Sequence, residues 1–369
     1  MRPETLLLHA GVPKPDQGEP FLPGPVFAAP FHAAGDPAQS NYTYGRFHHP
    51  TWTNYENALS ALEGGSAIAF ASGMAAVSAV LGSVLHPGDA VLMPADSYYS
   101  ARVLAQGFFA EMGVKTILAP TAGNAQKSHV AGAKLVWLET PSNPTLEVCD
   151  IAAISAAAHE AGALVAVDNT TPTVLGQQPL ALGADFSVAS DTKGLCGHSD
   201  LIMGHVAVRD PKLLEGLRTW RTQIGAIPGP METWLAHRSL ATLDVRLTRQ
   251  CLNALALAEF LTQREEIGTV RYPGLRRDPS HAIAAKQMHY FGSVVSFVLP
   301  NKTHAERFLS ACNLVYEATS FGGVHTTAER RARWGGDKIP EGFIRMNAGC
   351  EALEDLLEDL AQALEAART

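Results

Sequence analysis

"ADFSVASDTKG", residues 184–194, runs from a short apolar stretch into Lys193, which is set among small, polar and glycine residues. Lysines usually sit on a solvated face, and a surface turn that happens to carry one is the ordinary explanation for this stretch alone. The run before it, however, reads as a buried strand, so the chain delivers an amine to the end of a sheet. Nearby, "ALVAVDN" (163–169) is another such run, and it ends on Asp168.

Working outward, helix-like and strand-like runs alternate. Residues 53–65, 73–85 and 99–113 read as helices, and "AVLMPA" (90–95) and "KTILAP" (115–120) as strands. "KLVWLET" (134–140), the helix "DIAAISAAAHEAG" (150–162) and the strand "GHVAVRD" (204–210) continue the series. Continuous apolar strands alternating with helices predict an α/β fold with a mainly parallel sheet covered on both faces. "TAGNAQKSH" (121–129) reads as an exposed loop. From about residue 231 the texture changes. Residues 231–263 read as one long helical stretch, "SVVSFVLP" (293–300) as a strand and 350–366 as a closing helix, together a smaller α/β domain. The first 52 residues are rich in Pro, Gly and aromatics, and such an arm buries little of itself. The expected organisation is an arm over 1–52, an α/β domain over 53–230 and a C-terminal domain over 231–369.

The chain has 369 residues, 46% of them hydrophobic, enough for about two domains of roughly 150 residues each. Its net charge of −8, with only a brief basic cluster at Arg330, Arg331 and Arg333, argues against a nucleic-acid partner. Five widely spaced cysteines fit neither a disulfide framework nor a CxxC metal site, and suit a reducing cytoplasm. The opening "MRPETLLLHAG" is too short an apolar run for a signal peptide, and no stretch approaches the ~20 apolar residues of a membrane span. The expectation is a soluble cytoplasmic protein.

Ligands of open α/β sheets sit outside the carboxyl ends of the strands. The polar residues at or just past successive strand candidates are Asn143, then Asp168, then Ser190, Thr192 and Lys193. Each alone is explained by ordinary turn chemistry. Together, an amine able to form an imine with an aldehyde and a carboxylate able to hold a pyridinium nitrogen are the protein's two signature contributions to pyridoxal phosphate chemistry. The phosphate needs an anion site, and Ser72, Gly73 and Met74 open an apolar helix whose free N–H groups and dipole favour one. Taken singly they are also a normal small-residue helix start. Ser190 and Thr192 can add hydroxyls from the other side. Tyr98 or Tyr99, just past a strand, can stack on a ring, or can be half-buried helix tyrosines. His48, His49, His198 and His205 have no carboxylate or cysteine at ligand spacing and read as structural or pocket-wall residues, so no metal is expected. There is no GxGxxG for a dinucleotide.

These residues, in this order, resemble the cysteine and methionine metabolism family of pyridoxal phosphate enzymes, which includes cystathionine γ-lyase, γ-synthase and β-lyase and methionine γ-lyase. The resemblance runs from "YGRFHHPTW" (44–52) through "ETPSNPTLEVCDI" (139–151), "VDNT" (167–170), "SDTKGLCGHSD" (190–200) and "SFGGV" (320–324) to "IRMNAGCE" (344–351). It implies the fold type I, aspartate aminotransferase-like architecture. It implies Lys193 as the cofactor's lysine, Asp168 as partner of the pyridine nitrogen, Tyr98 stacked on the ring and available as an acid, and Asn143 near the 3-hydroxyl. Ser72, Gly73, Met74, Ser190 and Thr192 are then the phosphate site. Tyr44 and Arg46 match phosphate ligands donated by a neighbouring subunit, which gives the arm a purpose in a homotetramer built from two dimers. Arg345 matches the group that takes the substrate's α-carboxylate, with Ser320 beside it, a role suited to a bidentate guanidinium.

The sequence also departs from the family pattern. Gly194 comes after the lysine where tyrosine is common, His49 replaces an asparagine, and Tyr99 and Ser100 stand where two glycines usually come after the stacking tyrosine. Thr319 occupies the place of a glutamate found in many cystathionine γ-enzymes, "GGVHTT" replaces "GGVES", and "ERRARWGGDKIPEGF" (329–343) departs from the usual passage. The Thr319 and "GGVHTT" positions face the distal end of the substrate, and the 329–343 passage is expected to remodel the pocket mouth. The "YGR" triplet and Phe321, where β-lyases tend to carry tryptophan, favour a cystathionine γ-lyase-like reaction over its siblings. A cofactor-binding relative without activity has no need of a matched lysine, aspartate and arginine.

Overall fold

The computed structural model describes residues 1–368 of the chain. Its main sheet contains β1 (Ser66–Phe70), β2 (Ala90–Pro94), β3 (Lys115–Ala119), β4 (Leu135–Glu139), β5 (Leu164–Asp168), β6 (Phe186–Ala189) and β7 (Gly204–Val208). Their spatial order is β1-β7-β6-β5-β4-β2-β3. All neighbouring pairs are parallel except those of β7, which runs antiparallel to both β1 and β6. β2, β4 and β7 are buried along their whole length, as expected of strands covered on both faces.

Because β7 is reversed, β1 points the same way as the five parallel strands. The carboxyl ends of β1, β2, β4, β5 and β6 therefore lie along one edge, and the residues beyond them meet there. β1 itself is not evident in the sequence. "SAIAF" is mostly alanine and serine, with weak strand preference, and takes its place through pairing with β7.

Among the described residues twelve α-helices surround the two sheets: α1 (Pro3–His9), α2 (Pro50–Glu63), α3 (Gly73–Val84), α4 (Tyr99–Leu104), α5 (Ile151–Glu160), α6 (Thr173–Gly176), α7 (Pro211–Ile224), α8 (Pro230–Leu240), α9 (Leu243–Leu261), α10 (His281–Gln287), α11 (Lys302–Ala311) and α12 (Leu353–Arg368). One core beside the main sheet packs α3 and α7 over Phe70, Trp137, Phe186 and Val206. The stretch read as one helix over 231–263 is two, α8 and α9, interrupted at Ala241 and Thr242. α8 packs on α2, whereas α9 lies against the second sheet. That break lets one amphipathic stretch serve two cores.

The second sheet adds β8 (Val270–Arg271), β9 (Val294–Val298), β10 (Tyr316–Glu317), β11 (Thr327–Arg330) and β12 (Phe343–Asn347), in the order β10-β11-β12-β9-β8. α9, α11 and α12 bury its apolar face around Phe297, Phe308 and Ile344. Of these strands the sequence predicts β9 alone, since the others are short or rich in charge. Two further expectations change. Residues 122–129 form 3-10 turns with Gln126 buried, in place of a simple loop. The arm begins with α1, whose Leu7 is buried in the cluster under α2.

Candidate active site

The edge formed by the strand ends opens into a cavity of about 320 Å³, closed on the far side by β12 and the segment before β11. Eleven of the thirteen candidate site residues line it. They are Ser72, Gly73 and Met74 after β1, Tyr98 after β2, Asn143 after β4, Asp168 at the end of β5, Ser190, Thr192 and Lys193 after β6, and Ser320 and Arg345 from the C-terminal part. Tyr44 and Arg46 are absent from this lining. Tyr44 is 43% exposed, and Arg46 donates to the Thr222 carbonyl at 3.1 Å with its guanidinium over the Phe47 ring.

At one end the N-terminus of α3 faces the loop after β6. The Ser72 hydroxyl oxygen accepts the Ala75 N–H at 3.0 Å, a normal N-cap. Gly73 is required by close approach: a Cβ there would sit 2.6 Å from the Ser190 Cβ. Bare backbone thus lines a small cradle beside the helix N-terminus, a fit for phosphate. Thr192 is committed elsewhere in this geometry, donating to the Met203 carbonyl at 3.1 Å and accepting the Met203 N–H at 3.0 Å.

In the middle, two carboxylates stand side by side, because Glu139 and Asp168 are register partners on β4 and β5. Glu139, which in the sequence is no more than a strand end, accepts the backbone N–H groups of Tyr98 and Asn143, both at 2.7 Å. It thereby fixes two of the predicted site residues. Burial and the neighbouring Asp168 hold its carboxyl well above the ordinary carboxylate range. Burial likewise raises Asp168, against the pull of the Thr170 N–H and of Lys193. Asp168 accepts the Thr170 N–H at 3.0 Å, its other donor is the same residue's hydroxyl, and among the described residues it has no ion pair. A buried carboxylate with so few donors suits a protonated ring nitrogen.

Lys193 enters the same pocket from the loop after β6. Its Nζ donates to the Ser320 hydroxyl at 2.7 Å and sits 5.6 Å from the centre of the Phe321 ring. Burial, helped by the Arg345 charge and opposed by Glu329 and Asp168, pushes the amine down to about 8, so a useful share of it is neutral near physiological pH. Ser320 has φ 78°, a left-handed conformation uncommon for a residue with a side chain, and it sits at the contact of the two halves. Gly322 is required by the same contact. A Cβ on Gly322 would lie 2.3 Å from the Gly194 nitrogen, so the two backbones abut behind the lysine.

The loop carrying Lys193 is anchored from below. Asp191 accepts from the Tyr55 hydroxyl at 2.9 Å and pairs with His205 at 2.5 Å, while the other nitrogen of His205 meets Glu63 at 3.1 Å. Burial opposes charge on His205, but Asp191 and Glu63 outweigh it and bring the imidazole up to about 10. His205 is structural, as its sequence context suggests. Its carboxylates come from remote segments, where spacing rules cannot find them. His49 is also structural, capping α2.

At the other end Arg345 is buried on β12. It donates to the Asn143 side-chain oxygen at 2.8 Å, the Ser320 carbonyl at 3.0 Å and Glu329 at 2.5 Å. Burial lowers it to about 10 against the attraction of Glu329, and it remains a cation. Among the described residues no group of three His, Cys, Asp or Glu side chains is placed to hold a metal ion, all five cysteines are unpaired thiols, and no helix is long and apolar enough to cross a membrane.

An amine and a carboxylate in one pocket, with a helix N-terminus and a buried arginine in its lining, define a fold type I, pyridoxal phosphate-dependent enzyme. The chain belongs to the Cys/Met metabolism PLP-dependent enzyme family, whose model matches residues 4–365. It is 55% identical to a Streptomyces coelicolor protein provisionally named cystathionine gamma-lyase, over 98% of this chain and 93% of that one. It is 36% identical to a cystathionine beta-lyase of Coxiella burnetii, over 98% and 97% of the two chains. Among solved structures, a methionine gamma lyase from Micromonospora echinospora superposes with a TM-score of 0.93 at 38% identity, covering 99% of each chain. Relatives of different reaction thus share one fold, and the cofactor is common to the family.

Proposed function

We propose that the protein is a carbon–sulfur lyase that splits cystathionine between Cγ and sulfur, giving cysteine, 2-oxobutyrate and ammonia. The observation that carries this reading is the meeting of Lys193, Asp168 and Arg345 in one pocket. The choice of γ-cleavage is supported by the 55% identical Streptomyces relative and by Phe321, which is buried against both the Lys193 amine and the Arg345 guanidinium. Pyridoxal phosphate, when bound, supplies an electron sink for charge developing beside the substrate's amino group.

The remaining work falls to the chain. Asp168 holds the ring nitrogen, and the α3 N-terminus with Ser190 holds the phosphate. Arg345 and Ser320 orient the substrate's α-carboxylate. Lys193, partly neutral, accepts the Cα proton at Nζ and later moves a proton at Cβ. The Tyr98 hydroxyl is the candidate donor to the departing sulfur. Comparing kcat/KM for cystathionine, methionine, and an activated homoserine ester with cysteine tests the choice. Cystathionine cleavage should lead, and faster cystathionine synthesis or faster methanethiol release would replace this reading with a γ-synthase or a methionine γ-lyase.

The arm is proposed to complete a neighbour's phosphate site through Tyr44 and Arg46, in a tetramer of two dimers. Mixing inactive Arg46→Ala and Lys193→Ala proteins under conditions of subunit exchange should then restore about a quarter of wild-type activity, because half the dimers carry one intact site. No recovery despite proven exchange would return both residues to their own subunit.

A further inference from the structure

In the sequence Arg331 is only one member of a brief basic cluster, yet its side chain lines the same cavity as Lys193 and Arg345 while being 8% exposed. It comes from the 329–343 passage, which departs from the family pattern. Two carboxylates hold its guanidinium edges: one terminal nitrogen donates to Glu329 at 3.2 Å and the other to Asp337 at 2.7 Å. The Nε, by contrast, is buried and has no hydrogen-bond partner among the described residues. An unmet donor on a buried cation carries a cost that a ligand oxygen removes.

The surrounding charges leave room for an anion. Glu329 is shared by Arg331, Arg333, Arg345 and the Trp334 indole, and Asp337 by Arg331 and Arg102. With Glu317, which pairs with Arg333 at the rim, and with Asp168 and Glu139 from the strand ends, five carboxylates stand against four guanidinium groups and Lys193 among the described residues, and burial biases Glu139 toward its neutral form. Arg345 and Arg331 meet the same Glu329 oxygen, so they present two adjacent cationic groups to one pocket.

We infer that Arg331 is a second carboxylate-binding group, which selects amino acids bearing an anionic group at the end remote from the α-carboxylate. The inference rests on the reading of this cavity as an amino-acid site. It deepens that reading, since a thioether with a carboxylate at each end meets both arginines and a simple methyl thioether meets one.

The test uses the cofactor-loaded enzyme and two unreactive probes, 2-aminosuberate and 2-aminooctanoate, which match in length and differ in one terminal carboxylate. Calorimetric binding should favour 2-aminosuberate by about tenfold or more, the effect of a charge-assisted hydrogen bond. Arg331→Gln should reduce the preference to less than about threefold while 2-aminooctanoate still binds, and Arg331→Lys, which keeps charge without the Nε donor, should fall between them. Equal binding by the wild-type protein, or an undiminished preference in Arg331→Gln, overturns the inference. So does a loss of both ligands in both variants, which makes Arg331 a packing residue. Failure of the wild-type protein to bind either probe instead removes the amino-acid site on which the inference rests.

Discussion

Lys193→Ala is expected to lower turnover of cystathionine by at least about 10³-fold, within the 10²- to 10⁴-fold contribution of positioned proton transfer. The fold should survive. Burial already penalises the charged amine, so removing it relieves desolvation and sacrifices one hydrogen bond, to Ser320. The melting temperature should therefore stay within about 4 °C of wild type. A folded Lys193→Ala protein that turns over at the wild-type rate would show that the amine is not the proton acceptor and would overturn its assigned role. The effect has a pH signature as well. The neutral amine is the reactive form, so capture of cofactor by the stripped enzyme should rise with pH and level off above about 8, where a solvated lysine would level off near 10.5.

The second large effect belongs to Arg345. Arg345→Ala should reduce kcat/KM by about 10²- to 10³-fold, the range seen when one partner of a buried, hydrogen-bonded charge pair is removed. Glu329 keeps Arg331, Arg333 and the Trp334 indole, so the loss in stability should be smaller than for a carboxylate left alone. Arg345→Lys keeps the charge but cannot donate to Asn143, Ser320 and Glu329 together, and should recover only part of the loss. Wild-type kcat/KM in Arg345→Ala would place the α-carboxylate elsewhere.

Arg345, in the middle of β12, is legible only through the family resemblance, whereas Lys193 is legible for a topological reason. Asn143, Asp168 and Lys193 each close or come just after a continuous apolar strand, and β4, β5 and β6 are adjacent and parallel, so reading the strand ends amounts to reading one wall of the pocket. The residues that the sequence does not reveal are hidden for equally physical causes. Glu139 is the last residue of its strand, and its value comes from two backbone N–H groups, Tyr98 and Asn143, that no pattern links to it. Glu329 lies far along the chain on β11, a short, charged strand with little alternating signal, and Arg331 opens the 3-10 turn just after it. Their meeting with Lys193 is a property of packing. The break between α8 and α9 has a related origin, since its residues are compatible with a helix and only the need to serve two cores interrupts it.

The most direct test of the central claim is to identify the 2-oxo acid released when the purified, cofactor-loaded enzyme is given cystathionine. Cleavage between Cγ and sulfur predicts 2-oxobutyrate with an equal amount of cysteine. Pyruvate with homocysteine would contradict it and make the protein a β-lyase.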